Sequence, residues 1–485
     1  MQKILNLIKS ALRNKVIWYL LSRYATFGLQ FITSIYIAVK LGAYYFGVWS
    51  FFMLLINIGQ SCNFGLGNAV NILLVQHKSD EQLCRNYNFN ALIGSLFLSI
   101  IPLGIFVYHK IFGIALFEKY ELGNLLLLAC LSVMLLYLNS LFMNIFRVKG
   151  KLFEVAFGQS VFPVLTLCLM FFGNEKTLLT LLGGGYFVGC LLTTLLYLRH
   201  GFSNFSGSFS LACMKDVWKK GFFLFLYNTA FALIVLSTKM IIGRFYSVQD
   251  FGRFAFAFSL ANAVMLMVDS MLFLIFPKTV DILSGDDKEK HVEKIHLMRS
   301  SYITGVHLLV YIAVPACGVL MYFLPQYKAS FPYFVAIVAA LMIYPLCFGY
   351  NTYLLAQNKE NMIAFLALGT LVLNLILLPV LLYCCAGIQL KYSCLCMLVI
   401  YLLYSIAVNF TGRYYLYGRF MWNFDISWKK LLPIVVLVGL MLADCSAVYY
   451  LPLIIFLICN CKSLLDTVRI VLQIIHKPKI VDVSA

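Results

Sequence analysis

The chain has 485 residues, 62% of them hydrophobic and only 12% charged, with a formal net charge of +18. Mean hydropathy is +0.90. Apolar runs of about 18 residues or more recur along its length, which excludes a soluble domain and predicts an all-α polytopic membrane protein.

In chain order, Met1 to Lys15 sets Ile4, Leu5, Leu7, Ile8 and Leu12 among Lys3, Lys9, Arg13 and Lys15. This basic amphipathic stretch suits an anionic leaflet or a plain topogenic flank, and no cleavable signal peptide is expected. Hydropathy with turn and charge punctuation predicts spans at 16–40, 46–74, 88–108, 122–146, 152–173 and 178–198. After a basic stretch come 221–243, 251–276, 301–324, 331–355, 362–384 and 392–411. A thirteenth span is predicted at 431–448, and 450–468 is a shorter segment interrupted by Lys462. The expected organisation is 12 core helices in two six-helix lobes, 1–198 and 221–411, joined by a cytoplasmic linker at 199–220. Residues 412–485 add a hydrophobic hairpin and tail, about 14 helices in total. Residues 278–300, mixed in charge from Asp286 to Lys294, read as a solvated surface helix.

The basic excess follows topology rather than nucleic acid. With these spans, 27 of the 37 Lys and Arg residues fall on one side, and the opposite loops hold six: Lys110, Lys119, Lys176, Arg244, Lys328 and Lys391. The positive-inside rule then puts both termini in the cytoplasm. The 15 cysteines lie mainly in apolar segments without metal-site partners and read as packing residues, so no metal or cofactor is expected.

A repeat runs through the pattern. Phe46-Gly47-Val48-Trp49-Ser50-Phe51 returns 205 positions later as Phe251-Gly252-Arg253-Phe254-Ala255-Phe256, and Asn57 returns as Asn262. Ile145 to Lys151 similarly echoes Tyr353 to Lys359. Six spans per repeat leave both halves in one orientation, related by a pseudo-two-fold axis along the membrane normal.

Polar residues fall in stripes. Arg23, Thr26, Gln30, Thr33 and Lys40 share a face of the first span. From Arg23 to Lys40 is roughly 25 Å of helix. The second span carries Asn57, Ser61, Asn68 and Asn71; the seventh carries Asn228 and Lys239; the eighth carries Asn262 and Asp269. Single amides and hydroxyls serve equally well as glue between helices, and Arg23 and Lys40 are near enough to the interfaces to snorkel. His307, isolated in the ninth span, reads as a packing histidine. Ionisable Lys239 and Asp269 point to a cavity or a partner. The stripes predict a cleft whose substrate-binding candidates are Arg23, Gln30, Lys40, Asn57, Asn68, Lys239 and Asn262, with Arg253 at its outer lip. A mainly cationic cleft attracts an anion such as a pyrophosphate, and its amides suit a sugar.

Leu41 to Phe51 and Asn63-Phe64-Gly65-Leu66-Gly67-Asn68-Ala69 resemble the oligosaccharide flippase (polysaccharide transport) family of the multidrug/oligosaccharidyl-lipid/polysaccharide exporter superfamily. The resemblance covers the first twelve spans. It implies two six-helix lobes with alternating access. It also implies a flippase that moves an undecaprenyl-pyrophosphate-linked oligosaccharide to the outer leaflet of the bacterial cytoplasmic (inner) membrane for O-antigen or capsule assembly. Coupling to a proton or sodium gradient goes with it, for which Asp269 is the candidate. Membrane lipids and polysaccharide polymerase machinery are the expected partners.

Two alternatives share the fold: a multidrug or solute antiporter and a peptidoglycan-precursor flippase. Drug exporters are expected to concentrate carboxylates in the cavity, whereas this chain sets one acid among several bases. A membrane glycosyltransferase or polymerase fits worse, because the predicted external loops are short and two equivalent halves ill suit one active site. No enzyme is expected, and no Gly-x-x-x-x-Gly-Lys-Ser/Thr run supplies an ATPase.

Overall fold

In the computed structural model, residues 15–476 are described except 284–287, 358, 386, 422–426 and 446–447. The basic amphipathic stretch of Met1 to Lys15, but for its last residue, and the acids Asp286 and Asp287 therefore lie outside the described residues. Among the described residues all regular structure is helical, and eight segments are long and apolar enough to cross a membrane.

The helices are α1 (Lys15–Ser61), α2 (Leu66–Gln76), α3 (Glu81–Leu98), α4 (Ile100–Phe112), α5 (Ala115–Lys119), α6 (Asn124–Val148), α7 (Leu152–Leu169) and α8 (Glu175–Gly201). They continue with α9 (Leu211–Phe245), α10 (Val248–Leu283), α11 (Lys288–Phe323), α12 (Phe331–Ile343), α13 (Tyr350–Ala356), α14 (Glu360–Cys384), α15 (Leu390–Tyr417), α16 (Trp428–Leu442) and α17 (Leu451–His476).

Three differences from the sequence pattern are informative. The loop expected at 41–45 shrinks to one residue: α1 runs through it with a kink at Gly42 (φ 66°, ψ 173°). Glycine enters that region without a Cβ clash, so one residue separates two helical segments. The linker at 199–220 is mostly helix, with 206–210 irregular. There the backbone is held by α3: Asn86 Oδ1 accepts from Ser208 N (2.9 Å), and Asn90 donates to Ser208 O (3.1 Å) and accepts from Ser210 N (3.1 Å). Side-chain amides thus replace the partners that regular structure would supply.

The third difference is the tenth span. Predicted as one helix over 331–355, it is broken into α12 and α13 by a 3₁₀ turn at Tyr344–Cys347 and by Gly349 at φ 88°. Its counterpart in the first half, α6, is continuous. α12 is apolar all round, and every residue from Phe334 to Ala340 is fully buried, as a helix hydrophobic on all faces requires.

The contacts divide the chain into two compact units. One holds 33–255 with 367–386; the other holds the described parts of 1–32, 256–366 and 387–485. Three of the four boundaries fall inside α1, α10 and α14, and the fourth between α14 and α15. Within the first unit, Asn139 of α6 donates to Cys190 O of α8 (3.0 Å) and accepts from Thr194 (2.8 Å), the interhelical glue common where lipid removes a hydrophobic drive. Within the second, Lys391 at the start of α15 pairs with Asp444 beyond α16 at 2.8 Å. The segment at 450–468 belongs to a longer helix, α17, which kinks at Asn460 (φ −119°, ψ 18°) and continues past an exposed Lys462.

Candidate functional site

In the first unit the two copies of the sequence repeat meet. A Cβ on Gly47 of α1 would lie 2.2 Å from Val248 O, and one on Gly252 of α10 would lie 1.9 Å from Ala43 O. The second contact is the first shifted by 205 at both ends, so the crossing has local two-fold character. Such backbone approach needs glycine at both positions. Phe51 stacks on Tyr120 at 3.9 Å between centroids, and Phe251 meets both edge-on. Lys119 and Tyr120, from the short α5 and the residue after it, cap the end of α9. Lys119 donates to the carbonyls of Gly243, Arg244 and Tyr246, and Tyr120 OH donates to Gly243 O at 2.9 Å. Burial draws the Lys119 ammonium below its ordinary value, while three carbonyls use its three donors.

The predicted stripe on α1 is not uniform. The Arg23 side chain lies outside the described residues; Gln30 is exposed, Thr33 buried and Lys40 half-buried. Lys40 donates to Met170 O, just past the end of α7, at 3.0 Å, a place where a helix terminus favours a cation. Asn57 and Asn68 are exposed, whereas Asn71 is tied to Asn144 at 3.2 Å. Lys239 is half-buried inside α9, next to a buried cluster in which Asn374 of α14 donates to Ser237 (3.0 Å) and Thr238 (3.0 Å). Arg253 is paired with Asp250 at 3.2 Å.

In the second unit Asn262 is exposed on α10, and the side chain of Asp269 lies outside the described residues, as does that of Asn228 in the first unit. His307 is fully buried with Nε2 on Met342 O at 3.1 Å, against Tyr311 and Phe456, as a packing histidine sits.

The sequence reading overlooked the site at the broken helix. An interruption at membrane depth frees carbonyls that lipid cannot satisfy, and it is tolerated only inside protein or beside water. Here side chains from neighbouring helices take them up. His307 serves Met342 O, and Ser405 donates to Ile343 O at 3.0 Å. Leu346 O receives Arg299 Nε (3.2 Å), Arg299 Nη2 (2.9 Å) and Asn409 Nδ2 (2.9 Å). Arg299 also donates to Asn409 Oδ1 at 3.1 Å and lies over the Tyr350 ring. The signal was present in Pro345 and Gly349, four residues apart inside one apolar run.

An all-helical polytopic chain with a repeated helix crossing, a broken buried helix and exposed amides on apolar spans is built as membrane transporters are. More particularly, the chain belongs to the polysaccharide biosynthesis protein family, whose model matches residues 12–283. No curated protein matches it. Among solved structures it is similar to an inward-facing multidrug-resistance MATE transporter of the MOP superfamily, with TM-score 0.64 at 13% identity over 81% of this chain and 94% of that one. It is also similar to the lipid II flippase MurJ in an inward closed conformation, with TM-score 0.58 at 11% identity over 95% of this chain and 100% of that one. A third is a MOP superfamily transporter from Pyrococcus furiosus, with TM-score 0.50 at 12% identity over 83% of this chain and 95% of that one. The fold is therefore the one that these solved structures share.

Proposed function

We propose that the protein is a flippase. It translocates an undecaprenyl-pyrophosphate-linked oligosaccharide repeat unit across the bacterial inner membrane, by alternating access, for O-antigen or capsule assembly. The observation that carries this reading is chemical: Asn57, Asn68 and Asn262 present exposed amides within hydrophobic segments of a polysaccharide-biosynthesis chain. Exposed amides facing lipid would be costly; facing a hydrated path they bind sugar hydroxyls. Arg23, Gln30, Lys40 and Lys239 are the other substrate-binding candidates of this reading, and the cations among them meet the pyrophosphate. Asp269 is the coupling residue for a proton or sodium gradient, both termini are cytoplasmic, and the product passes to polymerase machinery.

Deleting the gene should leave undecaprenyl-linked glycan on the cytoplasmic side and remove surface polysaccharide. Normal surface glycan together with new drug sensitivity would assign the protein instead to drug export, in keeping with the multidrug resistance named for its MATE structural neighbour.

A further inference from the structure

Within the first unit, α1, α4 and α6 border a cavity of about 180 Å³. Each helix turns one face to it. Leu55, Ile58 and Gly59 of α1 recur at helical spacing, with Cys62 just past its end. Leu126, Ala129, Cys130, Val133 and Tyr137 do the same on α6, and Ile101 and Ile105 lie one turn apart on α4. The lining extends over about 16 Å of α6 and about 10 Å of α1, so the cavity is a slot that runs along the helices.

Its walls have identifiable causes. Phe117 of α5 also lines it, from the loop that the charge count places outside. Farther along, α1 and α6 close on each other: Tyr137 OH donates to Gly59 O at 2.8 Å, and a Cβ on Gly59 would lie 2.6 Å from the Val133 side chain. The α4 wall is loose. α3 and α4 part at Ser99, just before Pro102, whose ring removes a donor from the helix. Pro102 is the one buried residue of α4, whereas Ile101 and Ile105 are exposed, so the slot is open along that helix.

We propose that the slot seats one acyl chain of an outer-leaflet phospholipid. All three helices belong to segments long and apolar enough to cross a membrane, so hydrocarbon is the solvent at the open flank. Among the described residues that line the slot none is charged, and the Tyr137 hydroxyl is already used by Gly59 O. A polar ligand would find little to bind there. A drug-sized one would find too little room, since such sites run to roughly 300–1,000 Å³. An apolar cavity of this order stays dry and admits small apolar groups. A slot parallel to the spans matches the direction of a lipid chain, and phospholipid is the hydrocarbon in largest supply, which favours it by mass action. A seated chain would tie α4, exposed over most of its surface, to α1 and α6. Occupancy does not depend on the flippase reading, since it is measured without transport.

The test uses the intact protein reconstituted in phosphatidylglycerol that carries a photoreactive diazirine on one acyl chain, with adducts mapped by mass spectrometry. A chain in the slot should label Ala129, Cys130 and Val133, which are buried from the surrounding lipid. Lipid around the protein should label exposed residues such as Phe365 and Ile376 of α14. Ala129→Leu, which fills the slot from α6, should lower the buried adducts about tenfold, the effect of losing about two methylenes of burial, and leave those on α14 unchanged. Gly184→Leu, where an added Cβ meets nothing within 4 Å, should leave both sets intact. Absence of adducts at the buried positions in the wild type, or their persistence in Ala129→Leu, overturns the site. In the wild type alone, unlabelled phosphatidylglycerol should compete for the buried adducts in proportion to its amount. Undecaprenyl phosphate competing at lower concentration than phosphatidylglycerol would overturn the phospholipid assignment.

Discussion

Gly47 and Gly252 stand at the same place in two copies of one hexapeptide, and each lies against the carbonyl four residues before the other, Val248 for Gly47 and Ala43 for Gly252. Two helices can approach this closely only where neither carries a side chain at the crossing.

Adding a methyl at either position should separate the helices. Gly47→Ala and Gly252→Ala are expected to reduce surface-polysaccharide complementation and thermal stability in detergent. The double variant should lose less than the sum, because one separation relieves both clashes. Gly184→Ala and Gly369→Ala, where an added Cβ meets nothing within 4 Å, should be silent in the same assays. Loss in those controls equal to loss at the crossing would remove the close approach as the cause.

At the broken helix, Arg299→Lys should fail to rescue Arg299→Ala. A lysine cannot reproduce the paired donation of Nε and Nη2 to one carbonyl that also leaves a donor for Asn409. Leaving a buried carbonyl short of donors costs about 1–3 kcal/mol. Gly349→Ala should add strain of about 1–2 kcal/mol for its positive φ. Unfolding temperature in detergent is the readout, and a wild-type value for Arg299→Ala would mean that the carbonyl finds another partner.

Lys119→Met keeps the length of the side chain but removes three donors from the end of α9. A stability loss of about 1–2 kcal/mol is expected, and a smaller one for Tyr120→Phe, which gives up a single hydrogen bond but keeps the stack on Phe51. Proteolysis of the 113–123 loop in intact cells or vesicles should quicken in Lys119→Met; unchanged cleavage would show the loop to be held by its aromatics alone.

For transport, Arg23→Ala, Lys239→Ala, Asn57→Leu and Asp269→Asn should each lower complementation while the protein inserts at normal levels. Activity retained by all four would make the polar residues interhelical glue.

Sidedness is open to direct labelling. In a variant keeping only Cys445, an impermeant maleimide added to intact cells should react, because Cys445 is exposed in the connection between α16 and α17, which the charge count places outside. A variant keeping only Cys84, before the third span, should react after permeabilisation alone. The opposite result would invert the topology.

The sequence by itself determined the membrane class, the helical spans and the duplicated junction. Hydropathy and charge are one-dimensional properties, and the exclusion of polar backbone from lipid leaves helices as the answer to long apolar runs. It also singled out Asn57, Asn68, Asn262 and Lys239, since a polar residue in an apolar span stands out without any knowledge of its neighbours. Tertiary structure alone decided which polar groups are already engaged: Lys40 on the Met170 carbonyl, Asn71 on Asn144, Arg253 on Asp250 and Arg299 on Leu346. It also decided that α6 stays whole while its counterpart breaks, and that Arg299, Lys429, Lys430 and Lys462, far apart in sequence, face one cavity. Pairing depends on which helices meet and at what rotation, a property of packed surfaces rather than of hydropathy.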